Sequence, residues 1–295
     1  MSENNFVISE DGVIEKYTGT ETDVVIPQKI CGITVRSIGE DAFEDNELTS
    51  VVIPEGVTQI GVRAFQSNPL TNVIIPESVT EIGRKAFAHN LLANIVIQEG
   101  VAQIGDSAFF SNQLTNVVIP NSVTEIGEWA FAYNQLVSVV IPDSVTQIKP
   151  KVFEKNKLVN VIIPESVTEI GWNAFAHNLL ANVVIPNSVT QIGNWAFAYN
   201  QLVSVVIPDS VTEIGASAFA YNLLANVVIP EGVAQIGEEA FVNNQLNSIT
   251  ILGTVSLPRK NQRPAFDNGF DDFYNGNEKK SGMYLFDGTN WEYKR

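Results

Sequence analysis

The chain has 295 residues, 45% of them hydrophobic, with 17 basic and 33 acidic side chains and a formal net charge of −16. A chain this acidic lacks the lysine and arginine surface that neutralises nucleic-acid phosphates, so we expect no nucleic-acid partner. Its single cysteine and two histidines exclude an intramolecular disulfide and a Cys/His zinc site, and they leave little for histidine-based or thiol-based catalysis.

The N-terminal segment, residues 1–20, carries scattered apolar side chains, among them Phe6, Ile14 and Tyr17, and is predicted to cap the element that follows. It has no basic start, no continuous apolar stretch and no small-residue cleavage site, so no secretory signal is visible in it. No apolar run approaches the roughly 20 residues of a membrane helix, and we expect no membrane insertion.

From about residue 21 the chain repeats, and Leu48, Leu70 and Leu92 stand 22 residues apart. Phenylalanine recurs at the same interval from Phe43 to Phe241. An asparagine series is also unbroken, and its amide side chain is predicted to close each turn by bonding to backbone groups of its own and the adjacent turn. The series consists of Asn46, Asn68, Asn90, Asn112, Asn134, Asn156, Asn178, Asn200, Asn222 and Asn244.

The unit that begins at Leu70 reads LTNVIIPESVTEIGRKAFAHNL. Alternation around Val73 and Ile75 predicts a short strand with one buried face, which Pro76 ends because proline cannot donate a ladder hydrogen bond. A second short extended segment is predicted before Gly83, and the Ala-Phe pair is predicted to form one helical or 3₁₀ turn. A single unit buries little, so the units are expected to be stable only as a stacked array.

The recurring pattern LxxVxIPxSVTxIGxxAFxxN covers residues 21–252 and resembles the BspA-like leucine-rich repeats of bacterial surface proteins, although many members have cysteine where this chain has asparagine. The resemblance implies an α/β-type, β-dominated solenoid: a right-handed leucine-rich-repeat superhelix with a parallel concave sheet of LxxVxI strands and short helical or 3₁₀ turns. Residues 21–253 would then form about eleven coils. The resemblance also implies binding of proteins or glycans, often in host-directed adhesion, and no active site.

Residues 254–295 break the period and are predicted to form a C-terminal capping segment. The run SGMYLFDGTNWEYKR alternates around Asp287-Gly288, which predicts a β-hairpin. Caps are expected at both ends because an uncapped solenoid exposes its hydrophobic columns and its sheet edges.

The first candidate binding surface lies on the outward side of the LxxVxI strands. There a Ser/Asn column runs beside a Val/Ile column, and a contiguous apolar, uncharged face on a soluble protein often marks a partner site. The alternative is that β-branched residues are good strand formers that the repeat copies. The candidates on this face are Asn94, Val96, Asn116, Val118, Val140, Asn160, Ile162, Asn182 and Val184.

Two further candidate surfaces lie in loops. Aromatic side chains near the Ala-Phe turns could stack on sugars or anchor a protein, or they could pack over neighbouring coils. Four lysines in the irregular repeat from Leu136 to Lys157 could orient an acidic partner, or they are neutral surface variation. The aromatic candidates are Trp129, Tyr133, Trp172, Trp195, Tyr199 and Tyr221, and the lysines are Lys149, Lys151, Lys155 and Lys157.

The sequence offers few candidate residues for catalysis or for metal binding. His89 and His177 occupy the same repeat position four units apart, too far to share a metal or a proton, so we expect neither an enzyme nor a cofactor. A column of acidic residues after the strand could attract calcium, or it is a solvated face. Cys31 is expected to be a small core hydrophobe, with a reactive thiol as the alternative. The acidic column consists of Glu55, Glu77, Glu99, Asp143, Glu165, Asp209 and Glu231.

Together these features predict a monomeric, non-enzymatic binding or adhesion module at the bacterial cell surface. Its expected ligand is a protein, with extracellular-matrix proteins and glycans as candidates. An intracellular protein-interaction scaffold is the alternative, because no signal peptide is visible. A third alternative is an ice-binding array, since ranks of hydroxyls recur as in Ser78-Val79-Thr80, although the neighbouring Glu/Gln column argues against it.

Overall fold

The computed structural model describes residues 3–259 and 261–294, and residues 1, 2, 260 and 295 of the predicted end caps lie outside these ranges. The chain divides into two compact units. The N-terminal unit comprises the residues up to 145 together with 155–157, and the C-terminal unit comprises 146–154 and the residues from 158 onward. Both units consist of β-solenoid turns, about 11 in the described part of the chain. The domain boundaries after residues 20 and 253 stay predictions.

The N-terminal unit begins with a 3₁₀ turn at Glu3–Asn5 and continues in short strands. The strands are β1 (Phe6–Ile8), β2 (Val13–Tyr17), β3 (Asp23–Val25), β4 (Lys29–Ile30), β5 (Ile33–Thr34), β6 (Ser37–Ile38), β7 (Ser50–Val52), β8 (Gln59–Ile60), β9 (Asn72–Ile75), β10 (Glu81–Ile82), β11 (Asn94–Ile97), β12 (Gln103–Ile104), β13 (Glu125–Ile126) and β14 (Ser138–Val140).

The C-terminal unit continues the same pattern and ends in a different structure. Its elements are β15 (Gln147–Ile148), β16 (Asn160–Ile162), β17 (Glu169–Ile170), β18 (Gln191–Ile192), β19 (Glu213–Ile214), β20 (Asn226–Ile229), β21 (Gln235–Ile236), β22 (Ser248–Ile251), α1 (Phe270–Gly276), β23 (Gly282–Phe286) and β24 (Trp291–Lys294).

The longest ladder of the N-terminal unit runs in the order β1-β2-β6-β8-β10-β12-β13. β1 and β2 form an antiparallel hairpin, and the other strands of this ladder pair in parallel. Ile82 lies opposite Ile60 on one side and Ile104 on the other, so identical side chains face each other across the ladder. These isoleucines are buried while the preceding Glu and Gln are exposed, because alternate residues of a strand point to opposite faces.

Stacked phenylalanine rings form the centre of the N-terminal unit, with ring centroids 5.0 to 5.6 Å apart. The hairpin covers the first ring of this stack, since Tyr17 stacks on Phe43 with their centroids 5.3 Å apart and Phe6 packs on Tyr17. The hairpin therefore removes the apolar end of the stack from water. The stack consists of Phe43, Phe65, Phe87, Phe109 and Phe131.

The C-terminal unit has an equivalent ladder in the order β15-β17-β18-β19-β21 and its own phenylalanine stack. Adjacent centroids along Phe153, Phe175, Phe197, Phe219, Phe241 and Phe266 lie 5.0 to 5.7 Å apart. Phe266 introduces the end structure, in which α1 and the antiparallel pair β23–β24 pack together. This pair confirms the predicted hairpin, with Tyr284 opposite Tyr293. No helix in the described ranges is long and apolar enough to cross a bilayer.

The LxxVxI strands also pair in parallel, but only in places. β3 pairs with β7, β9 with β11 and β20 with β22, whereas residues 116–119 form no strand. Proline after most of these strands removes the next ladder donor. The Glu/Gln-Ile ladder is instead extended at both ends, because the amide of Thr80 donates to the carbonyl of Thr58 at 2.9 Å and that of Gly83 to Ile60 at 2.8 Å. The more continuous hydrogen bonding therefore lies on the second, shorter extended segment.

The Ala-Phe segments differ from the predicted helical or 3₁₀ turns. Lys85 has a left-handed backbone, with φ of 57°, and the same holds for the equivalent non-glycine position of most other turns. The amides of Lys85 and Phe87 donate to the carbonyls of Asp106 and Ala108 in the next turn, both at 2.8 Å. The amides of Ala86 and Ala88 donate within the segment, each at 3.1 Å. A helix needs every amide for bonds along its own axis, so the segment is a turn in which alternate amides bond to the next coil.

The predicted asparagine ladder is confirmed. Asn90 is buried, and its Nδ2 donates to the carbonyls of Phe65 and Phe87 at 2.9 and 3.1 Å. Its Oδ1 accepts from the amide of Leu70 at 3.2 Å. One side chain thus bonds to backbone groups of two turns, and the amide of Leu70 would otherwise be buried without a partner.

Candidate binding surfaces

The outward Val/Ile column is exposed in both units. In the N-terminal unit Val118 is 70% exposed, and in the C-terminal unit Val184 and Val206 are 79% and 77% exposed. This exposure follows from strand alternation, which buries Val73 and Ile75 and leaves the residue between them in solvent. The same column contains Val96, Val140 and Ile162, and the accompanying Asn94, Asn116, Asn160 and Asn182 are exposed beside it.

A groove of about 320 Å³ lies on this face of the N-terminal unit. Its wall is formed by residues 116–121 and 138–140, with Glu99 at its edge. Val118 and Val140 supply exposed apolar surface, while Asn116 supplies an amide side chain. The groove lies where residues 116–119 leave the parallel ladder, so its floor includes peptide groups that no neighbouring strand covers.

The aromatic candidates of the N-terminal unit form a cluster around Phe110, a residue that sequence reasoning missed. Phe110 packs against Tyr133 and Trp129 with centroids 5.1 and 5.8 Å apart, and His89 meets it edge-on at 5.4 Å. The sequence carried a signal for it, because Phe110 stands where five other repeats have alanine after the regularly spaced Phe. Lys155 Nζ donates to the Tyr133 hydroxyl at 2.9 Å.

Three of the C-terminal aromatic candidates pack on one another. Tyr199 stacks on Tyr221 with centroids 4.3 Å apart, on His177 at 4.4 Å and more distantly on Trp195 at 6.2 Å. Burial, together with hydrogen bonding to Tyr221, raises the pKa of Tyr199. These rings pack over neighbouring coils, and Tyr199 and Tyr221 nevertheless stay 37% and 42% exposed.

Trp172 is the exception among these rings. It is 44% exposed, and its one described ring contact is with Lys151, whose Nζ lies 4.3 Å from the indole centroid. It borders a groove of about 240 Å³ in the C-terminal unit, here called the Trp172 groove. Its lining includes Glu169, Gly171, Trp172, Gln191, Asn194 and Glu213. Except for Trp172, they were not among the predicted binding residues.

The four predicted lysines are divided between the two units. Lys155 and Lys157 belong to the N-terminal unit, and Lys149 and Lys151 belong to the C-terminal unit. Lys157 Nζ donates to Gln135 Oε1 at 3.0 Å, so the charges are engaged with nearby polar or aromatic groups. Their role in orienting an acidic partner stays a prediction.

A comparison with models of protein families identifies the type of repeat. The model of the BspA type leucine rich repeat region matches residues 36–159 and 147–262, in 6 copies. The chain belongs to the BspA-type leucine-rich repeat family. Leucine-rich repeats of this kind are typically protein-interaction modules and are generally non-catalytic. No curated protein matches the sequence.

Solved structures show the same architecture as this BspA-type chain. The crystal structure of the T. pallidum leucine-rich repeat protein TpLRR is 33% identical, with a TM-score of 0.54 over 60% of this chain and 88% of that one. The pneumococcal vaccine antigen PcpA is 20% identical, with a TM-score of 0.56 over 79% of this chain. This chain spans 62% of PcpA, and at that identity the likeness concerns the fold alone.

The BspA-type repeats place few reactive side chains close together in the described ranges. Within the described ranges no three His, Cys, Asp or Glu side chains are grouped so that they could hold a metal ion. In the acidic column, Glu99 accepts hydrogen bonds from the amides of Asn121 and Ser122 at 3.3 and 3.2 Å, so part of this column is engaged in joining turns. The calcium hypothesis gains no support from this arrangement.

The prediction that Cys31 is a core residue is wrong, because Cys31 is exposed. β4 and β5 form an antiparallel hairpin, and Cys31 and Gly32 are its two turn residues, with φ of 49° and 83°. Two positive φ values match the twist of a tight hairpin, and they place the thiol outside the core.

The recurring Ser and Thr hydroxyls donate hydrogen bonds between adjacent turns. Ser78 Oγ donates to the carbonyl of Val57 at 2.8 Å, and Thr80 Oγ1 donates to that of Thr58 at 3.1 Å. The same bonds recur in the C-terminal unit at Ser210 and Thr212. An ice-binding face needs these hydroxyls for ordered water, so the ice-binding alternative loses its main support.

Proposed function

We propose that this chain is a non-enzymatic recognition module that binds a protein ligand through the outward Val/Ile column of its repeats. The observation that carries the proposal is the exposure of this column in both units, at residues such as Val118 and Val184. Exposed contiguous apolar surface is uncommon on soluble proteins and often marks an interaction site. Family membership supports the same class of function.

The composition of the face supports a protein ligand. Apolar side chains supply the desolvated centre of a contact, and the adjacent Ser and Asn side chains supply hydrogen bonds at its edge, which is the usual composition of protein interfaces. No charged residue stands in either column, so the face does not select a partner of one sign. The groove at Val118 and Val140 offers a place for one projecting side chain.

We further propose that the module acts as an adhesin at the bacterial surface. The support is the repeat type, which resembles that of bacterial surface proteins. An intracellular scaffold would use the same face for an intracellular protein, so the two functions differ in the partner rather than in the structure. Binding to a panel of purified extracellular-matrix proteins, compared with cytosolic extract, distinguishes them.

The substitution Val118→Glu is expected to weaken ligand binding by at least about tenfold, since truncating or charging a central contact commonly costs more than about 1.4 kcal/mol. Biolayer interferometry against the best-binding matrix protein measures the effect. Because Val118 is 70% exposed, the variant should retain the unfolding midpoint of the parent.

The matched control is Gln113→Glu, which adds the same charge to an exposed position of the same turn, outside the Val/Ile column. It should leave binding unchanged. Equal losses in both variants would indicate a general charge effect, and they would contradict the assignment of the contact to this face.

A further inference from the structure

We propose that the C-terminal unit also binds a neutral oligosaccharide, in the Trp172 groove. This site is independent of the Val/Ile column, since the groove is lined by the Ile-Gly corner of the turns and by the Glu/Gln positions of their ladder. The groove has a volume of about 240 Å³, which suits one or two pyranose rings of a longer chain rather than a globular partner.

One wall of the Trp172 groove is aromatic. Trp172 lines the groove and is 44% exposed. Tyr199 and Tyr221 have similar exposure, 37% and 42%, but they stack on each other and are not among the lining residues. Lys151 lies over the indole with its Nζ 4.3 Å from the centroid, and this contact fixes the orientation of the ring. An oriented, partly exposed aromatic ring offers the apolar surface on which the C–H face of a sugar stacks.

The polar groups of the groove are available. Glu169, Gln191 and Glu213 occupy successive strands of one parallel ladder, so their exposed side chains form a row. No side-chain hydrogen bond to the rest of the described chain involves these three residues. Asn194 uses Oδ1 to accept from the amide of Ala216 at 2.8 Å, and its Nδ2 remains a donor. Acceptors and donors in a row match the hydroxyl pattern of a sugar chain.

Glycine recurs at the Ile-Gly corner of the groove because adjacent turns approach closely there. A Cβ at Gly193 would lie 2.7 Å from the Trp172 amide nitrogen, and one at Gly215 would lie 2.6 Å from that of Asn194. Close stacking of the turns therefore requires glycine at these positions, and they add no side chain to the groove.

The negative charge of the groove favours neutral glycans over acidic ones. Two of the row's three side chains are carboxylates, and the whole chain carries a net charge of −16. Sialylated or uronic-acid glycans would meet like charge in the groove, whereas neutral chains accept hydrogen bonds from or donate them to every group in it. The proposed ligand is accordingly a neutral oligosaccharide of linked pyranoses.

The test is calorimetric titration of the full chain with N-acetylchitotriose and cellotriose, with a hyaluronan tetrasaccharide as the acidic counterpart. At least one neutral probe is expected to bind, and the acidic probe is not. Trp172→Ala should lower the affinity at least about tenfold, and Gln191→Ala about threefold, the value of one hydrogen bond.

Trp129→Ala is the matched control, because it removes a tryptophan from the other unit. Circular dichroism must show that the variants keep the parent's fold. The proposal is overturned if neither neutral probe produces heat at about millimolar concentration, if the acidic probe binds better, or if Trp129→Ala reduces binding as much as Trp172→Ala does. Val118→Glu should leave sugar binding unchanged, so this proposal and the protein-binding proposal fail separately.

Discussion

Replacing Phe197 with alanine is expected to lower the free energy of unfolding of the C-terminal unit by about 3–5 kcal/mol. The ring is fully buried and stacks on Phe175 and Phe219, with centroids 5.4 and 5.5 Å away. Truncation removes the burial of one ring and leaves a cavity between two others, which the stacked turns cannot close by moving independently. Urea denaturation followed by circular dichroism measures the loss.

Two control variants set the scale for this loss in the free energy of unfolding. Phe197→Leu keeps much of the apolar volume and should cost less than half as much. Val184→Ala removes a side chain that is 79% exposed and should change the free energy of unfolding by less than about 0.5 kcal/mol. If Phe197→Ala were no more destabilising than Val184→Ala, the stack would not be the centre of the unit.

Replacing Asn90 with alanine is expected to cost the N-terminal unit about 1–3 kcal/mol. The substitution leaves the amide of Leu70 buried without its partner, and one unsatisfied buried group costs about this much. The carbonyls of Phe65 and Phe87 each lose one of two donors, because Asn68 and Asn112 still donate to them. Thermal and chemical unfolding both report the loss. Asn72→Ala is the control, because Asn72 is exposed on the strand surface and should tolerate the change.

The substitution Asn90→Asp adds a pH dependence to this test. A buried carboxyl facing two carbonyl oxygens would have its pKa raised, because burial and the neighbouring dipoles both disfavour the charged form. A raised pKa in the folded state means that stability is retained below the unfolded pKa and lost as the pH rises through the folded one. This variant should therefore be more stable at about pH 4 than at about pH 7, relative to the parent. A pH-independent difference would argue against the buried ladder.

Much of the fold could be predicted because the period is regular. A spacing of 22 residues places Leu70, Ile82 and Phe87 in the same environment as their equivalents, so the inward columns and the asparagine ladder followed from one unit. The turn backbone could not be predicted in the same way. Left-handed φ usually requires Gly or Asn, yet Lys85 and Trp195 adopt it because bonds between coils determine the geometry.

The candidate sites were less predictable than the core. The exposed Val/Ile column follows from alternation, but Phe110 acquires its role only from residues in the neighbouring turns, His89 and Tyr133. The Trp172 groove likewise combines positions from four turns that are far apart in the sequence. Side-chain clusters of this kind depend on which variable residues become neighbours, and the repeat pattern does not record their rotamers or their exposure.

The register of the ladder has a consequence for how such a chain can change its length. Because Ile82 meets Ile60 on one side and Ile104 on the other, a whole turn could be duplicated or removed and every interior contact would be replaced by an equivalent one. A deletion of a single residue has no such compensation, since it would bring unlike positions together. Recombination within the gene is therefore tolerated in whole repeats, and it alters the number and order of surface residues while the interior keeps the same composition.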